Sequence, residues 1–181
     1  NYTVTFEKMF KDGLFGPQRK VGGTTPVLTI NGTVVENYFA PEDGVAEKIV
    51  NRLQRAQASI DFMAFSFTDD DIGKVLRDRA KAGVNVRGVF ETTGSETAYS
   101  EYGPLKKAKL DVWQDGNLYL MHHKVFIVDG RTVIFGSFNF SRGAEERNDE
   151  NLLIVDDPAL AQAFTAEFER VLEQAKNPPN K

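Results

Sequence analysis

The stretch from residue 122 to residue 139, His-His-Lys-Val-Phe-Ile-Val-Asp-Gly-Arg-Thr-Val-Ile-Phe-Gly-Ser-Phe-Asn, constrains the fold more than any other. Lys124–Val128 and Thr132–Phe135 are β-branched and aromatic runs, and Asp129-Gly130 between them is a turn signal. Two adjacent antiparallel strands are therefore expected, joined by a tight turn. Ser59–Phe67 is also β-rich and largely apolar, as expected of a strand covered on both sides.

Strand and helix patterns alternate around this hairpin. Val27–Ile30 and Val34–Phe39 flank Asn31-Gly32, a second hairpin signal. Pro41-Glu42-Asp43 opens a helix with Val45, Ile49 and Leu53 on one face. Thr68 reads as the N-cap of the next helix, with Asp69, Asp70 and Asp71 in its first turn, Ile72, Val75 and Leu76 as its buried stripe, and Gly83 as its end. Capping explains those aspartates more simply than metal binding does. Asn85–Glu91, Leu110–Trp113 and Leu152–Val155 complete the strands, and Thr92–Gly103 reads as an irregular loop. Asp157-Pro158 starts a last helix with Leu160, Phe164, Phe168 and Leu172 on one stripe. The alternation predicts an α/β fold, a mixed central β-sheet sandwiched by helices.

The expected organisation is a catalytic domain over residues 34–176, preceded by a linker and the start of a hairpin over 16–33 and followed by a tail over 177–181. Residues 1–15 are ambiguous. Thr3–Phe10 (TVTFEKMF) resembles Thr165–Leu172 (TAEFERVL), with Thr, Phe, Glu and a basic residue at matching places. Either two amphipathic helices share a pattern, or residues 1–15 are the closing helix of a preceding, similar domain.

The polar residues of the 122–139 stretch make chemical sense together. His122 and Lys124 are two apart and project from one face of a strand, whereas His123 points the other way. Ser137 and Asn139 have the same relation after the next strand, so the hairpin can present all four to one pocket. The set suits a phosphodiester: imidazole attacks phosphorus, ammonium neutralises charge, and amide and hydroxyl donors hold the non-bridging oxygens. Gly136 would let backbone approach the substrate. Asp129 sits at the turn and is expected to tie down local backbone. The better orienting partner for His122 is the Glu150 carboxylate, which would fix the tautomer and stabilise positive charge on the ring.

No metal or cofactor is expected, because His122 and His123 are the only histidines and would face opposite sides. Cysteine is absent, which excludes disulfides and thiolate metal sites but leaves the compartment open, with a slight lean to export. No apolar run is long enough to span a membrane. The net charge of −4 argues against a dedicated nucleic-acid binder.

The pattern H-x-K-x4-D-x6-G-S-x-N of His122, Lys124, Asp129, Gly136, Ser137 and Asn139 closely resembles the signature of the phospholipase D superfamily, over roughly residues 35–175. The tract Ala144–Asn151 resembles that of single-motif bacterial endonucleases and cardiolipin hydrolases of this superfamily. The resemblance implies that His122 forms a covalent phosphohistidine, that Lys124 and Asn139 bind the phosphoryl oxygens with Ser137 assisting, and that Glu150 orients the nucleophile. It also implies two such motifs per active site, the second coming from an identical subunit or from an upstream domain. The expected function is a metal-independent phosphodiesterase cleaving phospholipid or related phosphodiester bonds. A nuclease is the alternative, a phosphatidyl transferase shares the same residues, and a non-catalytic phosphate-binding domain is disfavoured by the intact motif.

Overall fold

A computed structural model describes residues 1–20 and 22–179. Val21, within the expected linker, and the end of the expected tail lie outside the described residues. In chain order the elements are α1 (Tyr2–Asp12), a 3-10 turn at Gly16–Gln18, β1 (Val27–Ile30), β2 (Thr33–Ala40), α2 (Val45–Leu53), β3 (Ser59–Ala64), α3 (Asp70–Lys81), β4 (Asn85–Phe90) and α4 (Thr92–Ser95). They continue as α5 (Tyr102–Lys107), β5 (Asp111–Gln114), β6 (Lys124–Val128), β7 (Thr132–Gly136), α6 (Arg142–Glu146), β8 (Glu150–Asp156) and α7 (Pro158–Lys176).

The strands form one mixed sheet in the order β1-β2-β8-β7-β6-β3-β4-β5. The β3–β4 and β4–β5 pairs are parallel. The other pairs are antiparallel. Because side chains alternate along a strand, the sheet sorts its apolar residues into two cores. Phe62, Phe126, Ile134 and Leu152 face one way and pack with Ile49, Leu53, Ile72 and Leu76 of α2 and α3. Met63, Val125, Ile127 and Val133 face the other way and pack with Phe168, Val171 and Leu172 of α7. This is the expected sandwich, with β3 buried on both faces and its one charged residue, Asp61, paired with Arg87.

Some expectations need correction. The N-cap of α3 is Asp69, whose carboxylate accepts from the Ile72 N–H, and not Thr68. The apolar run from Ser59 stops being a strand at Ala64. Phe65 to Phe67 turn away to meet the chain at Phe140, where the Phe140 amide donates to the Ser66 carbonyl. The Thr92–Gly103 stretch is not wholly irregular, since it holds α4 and the start of α5.

Within the expected linker, Gly16 and Arg19 are buried, while most of its other residues are exposed. Arg19 is only 4% exposed. Its guanidinium donates to the Ala40 carbonyl (2.6 Å) and Glu42 (2.7 Å) and pairs with Asp149 at 3.1 Å. Gly16 has φ of +50°, and a Cβ there would lie 2.7 Å from the Arg147 carbonyl oxygen, so only glycine fits. In α1, Phe6 and Phe10 are 57% and 74% exposed. Their counterparts in the internal match, Phe168 and Leu172, are buried against the sheet.

Asp129 acts at longer range than expected. Asp129 and Gly130 both adopt left-handed φ, 53° and 61°, as a two-residue hairpin turn requires. The Asp129 carboxylate then crosses to the start of β3, accepting from the N–H groups of Gln57, Ala58 and Ser59 at 3.0, 2.7 and 3.0 Å. Partial burial pushes its carboxyl up, but these donors together outweigh that and hold it below the ordinary carboxylate range.

Candidate active site

The predicted residues converge because four strand ends meet at one edge of the sheet. Lys124 opens β6 and pairs with Ala64, the last residue of β3. Gly136 closes β7 and pairs with Leu152, while Glu150 opens β8 opposite Ala40. Antiparallel pairing of β6 with β7, and of β7 with β8, therefore brings His122, Lys124, Ser137, Asn139 and Glu150 to the same edge.

His122 precedes β6 and is exposed. Its ring stands edge-on to Phe65, centroid to centroid 4.5 Å, and its Nε2 lies 3.1 Å from Lys124 Nζ. Lys124 is 6% exposed, donates also to the His122 carbonyl at 3.1 Å, and lies 4.9 Å from the Phe65 ring centre. Burial pushes the Lys124 ammonium below its ordinary range, partly offset by the Glu150 carboxylate. A desolvated cation beside an exposed imidazole is suited to hold a phosphoryl oxygen while the imidazole attacks.

Asn139 follows β7 in a loop fixed by the Phe140 carbonyl, which accepts from the Thr68 and Asp69 amides. Its Oδ1 is buried without a hydrogen-bond partner among the described residues. Ser137 Oγ accepts from both the backbone N–H and the Nδ2 of Asn151, at 3.0 and 3.3 Å. Its own hydroxyl proton is left as the donor for a substrate oxygen.

Two expectations change here. Gly136 does not open the backbone to a substrate; a Cβ at this position would lie 2.2 Å from the Asn151 carbonyl oxygen, so glycine lets β8 approach β7. The Glu150 carboxylate accepts from Asn148 Nδ2 at 3.1 Å and makes no hydrogen bond to His122. Its charge is felt by Lys124 instead.

His123 faces α7, as the alternation predicts. Its Nε2 is 3.4 Å from a Glu167 carboxylate oxygen, and burial lowers its basicity. Among the described residues no cluster of three or more His, Cys, Asp or Glu could hold a metal. No helix among them is long and apolar enough to cross a membrane.

Residues not singled out from sequence complete the site. Phe65 is the platform under His122 and Lys124. Asn151 is held by Ser137 and accepts from Tyr2 Oη at 3.3 Å. A cavity of about 340 Å³ opens beside them, lined by Tyr2, Phe6, Met9, Phe39, Glu150 and Asn151. Nothing in the alternating pattern marks Phe65 as other than core, and Tyr2 contacts the site across nearly the whole chain length.

A mixed sheet carrying a histidine, a buried lysine and an asparagine at one edge is the kind of arrangement that can handle a phosphoryl group. The sequence model of the family described as "Cardiolipin synthase, PLD-like domain" matches residues 49–172, and the chain belongs to this phospholipase D-like family. It is 35% identical over 130 residues to a phospholipase D of Rickettsia felis, a match covering 72% of this chain and 65% of that protein. It is equally 35% identical to the human mitochondrial cardiolipin hydrolase, over 73% of this chain and 52% of the human protein. The chain thus spans about two thirds and about half of these relatives. Among solved structures, the phospholipase D family member Nuc from Salmonella typhimurium superposes with a TM-score of 0.74 at 32% identity, covering 78% of this chain and 95% of Nuc.

Proposed function

We propose that the chain is a metal-independent phosphodiesterase of phospholipase D type that cleaves phospholipid through a phosphohistidine at His122. The observation that carries this reading is the exposed His122 ring 3.1 Å from the buried Lys124 ammonium. His122 Nε2 attacks phosphorus and the bond to the leaving oxygen breaks, that oxygen taking a proton from a second histidine. Water then attacks, gives its proton back to that second histidine, and the N–P bond breaks. Lys124, Asn139 and Ser137 hold the phosphoryl oxygens throughout. Glu150, whose charge reaches Lys124, is the carboxylate assigned to steady the charged ring.

The second histidine is supplied by a second copy of the chain, since His123 faces α7. One observation favours an upstream domain instead. The exposed Phe6 and Phe10 of α1 occupy the places that α7 fills with sheet-packing residues, as a helix closing another copy of this fold would. Sedimentation separates the two: an active dimer supports the first, an inactive monomer the second.

The acidic charge favours a lipid over a nucleic acid, and the likeness to Nuc keeps a nuclease as the second reading. Hydrolysis of bis(p-nitrophenyl) phosphate, cardiolipin, phosphatidylcholine and DNA in EDTA tests both. Cleavage of lipid, lost by about a thousandfold or more in His122→Ala, is expected. Cleavage of DNA alone would replace the lipid reading, and wild-type turnover by His122→Ala would end the covalent mechanism.

A further inference from the structure

Both neighbours of Glu150 are held by the N-terminal segment, which lies outside the family-matched residues 49–172. On one side, Asp149 Oδ1 accepts from the Gly16 amide at 2.8 Å and pairs with Arg19 Nη1 at 3.1 Å. On the other, Asn151 Oδ1 accepts from Tyr2 Oη at 3.3 Å, and Asn151 itself holds Ser137. Arg19 is anchored in turn by the Glu42 carboxylate, whose side chain is 6% exposed, and by the Ala40 carbonyl. Ala40 is the residue paired with Glu150 across β2 and β8. The guanidinium thus touches the cross-strand partner of Glu150 and the residue preceding Glu150 at once.

We propose that Arg19, acting through Asp149, is a positioning residue that sets where the Glu150 carboxylate lies relative to His122 and Lys124. The planar guanidinium fixes two directions together, one towards β2 and one towards the start of β8. Glu150 is half-buried, and among the described residues its carboxylate has only Asn148 as a side-chain hydrogen-bond partner, so its direction is inherited from the backbone on either side. Without the brace, the Arg147–Glu150 turn is free to tilt. The carboxylate then drifts from Lys124, and the orientation of His122 suffers while the phosphate-binding groups on β6 and β7 stay put. The loss therefore falls on turnover and not on substrate binding.

This inference rests on the proposed role of Glu150, and the test keeps the two apart. Arg19→Ala leaves the buried Glu42 unpaired and risks unfolding, so the informative variant is Asp149→Ala, which cuts the brace at its partly exposed end and keeps the Arg19–Glu42 pair. With bis(p-nitrophenyl) phosphate, kcat is expected to fall about 10- to 30-fold with KM within about twofold, and the acid limb of the pH–rate profile to shift. Asp149→Asn keeps an acceptor for Gly16 and Arg19 and is expected to restore most of the activity. In a Glu150→Gln background, Asp149→Ala should cost less than about twofold more, because the group it positions has already been disabled. Full additivity of the two substitutions, or an unshifted pH profile in Asp149→Ala, would overturn the inference. Wild-type turnover by Glu150→Gln alone would instead remove the role assigned to Glu150.

Discussion

Replacing Asp129 separates scaffold from chemistry within the signature motif. Its carboxylate receives three backbone N–H groups at the start of β3, and no catalytic side chain. A hydrogen bond to a charged acceptor contributes about 1.5–3 kcal/mol when buried, and in this half-exposed place about 1 kcal/mol each is the sounder value. Asp129→Ala loses about 3 kcal/mol on that count, and about 1 kcal/mol more because alanine tolerates the left-handed φ poorly. Asp129→Asn keeps one acceptor oxygen and the tolerance for φ of 53°, and should lose only about 1–2 kcal/mol. With a urea slope of about 2 kcal/mol/M, the midpoints should fall by about 2 M and by less than about 1 M. Trp113, the only tryptophan, lies on β5 and reports unfolding by fluorescence. Because folding holds this carboxyl below its ordinary range, its contribution is complete above about pH 4 and disappears as the pH drops through the lowered native value. The gap between wild type and Asp129→Asn should therefore close in acid. The reasoning is refuted if Asp129→Ala costs under about 1 kcal/mol, or if kcat collapses in a fully folded variant.

Two further substitutions probe the site from opposite directions. Lys124→Met should abolish hydrolysis yet raise Tm by about 2–4 °C, since it removes a desolvated ammonium. That stabilisation should shrink as pH rises through the lowered Lys124 value, where the wild type sheds its buried charge; a calorimetric pH series reads it. Gly136→Ala should cost about 3 kcal/mol, because its Cβ would lie 2.2 Å from the Asn151 carbonyl oxygen, and activity should fall with the Ser137–Asn151 contacts. Denaturant melts paired with the aryl phosphodiester assay test it.

The elements with strong periodicity were legible in the sequence: the β6–β7 hairpin, the two-sided β3, and the α7 stripe of Phe168 and Leu172. So was the closeness of His122 to Lys124, whose side chains lie 3.1 Å apart, although His122 stands just before β6 and not on it. What could not be read depends on contacts between distant segments. Gly136 was expected to serve a substrate, yet it serves the Asn151 carbonyl fifteen residues on, and no local pattern announces that approach. Asp129 looked local because turns usually are, whereas its partners are Gln57 to Ser59. Arg19 sat among Gly and Pro residues with no periodicity, and such composition says nothing about a guanidinium buried against Glu42. The direction of the Glu150 carboxylate was likewise out of reach, since its neighbours are set by the pairing of β8 with β2.

The place of β8 between β2 and β7 has a consequence for how the chain reaches this state. Asn37 donates to the Leu152 carbonyl across 115 residues of sequence, and the β2–β8 ladder lies inside the sheet. The β1–β2 hairpin is expected to form early from local pairing, and to lack a neighbour until β8 has followed β7 into place. During that interval β2 presents a bare edge carrying Tyr38 and Phe39, the kind of edge that recruits other chains. Refolding yield should therefore fall with protein concentration more steeply than equilibrium stability would suggest, and the Glu150 end of the active site should be among the last parts to assemble.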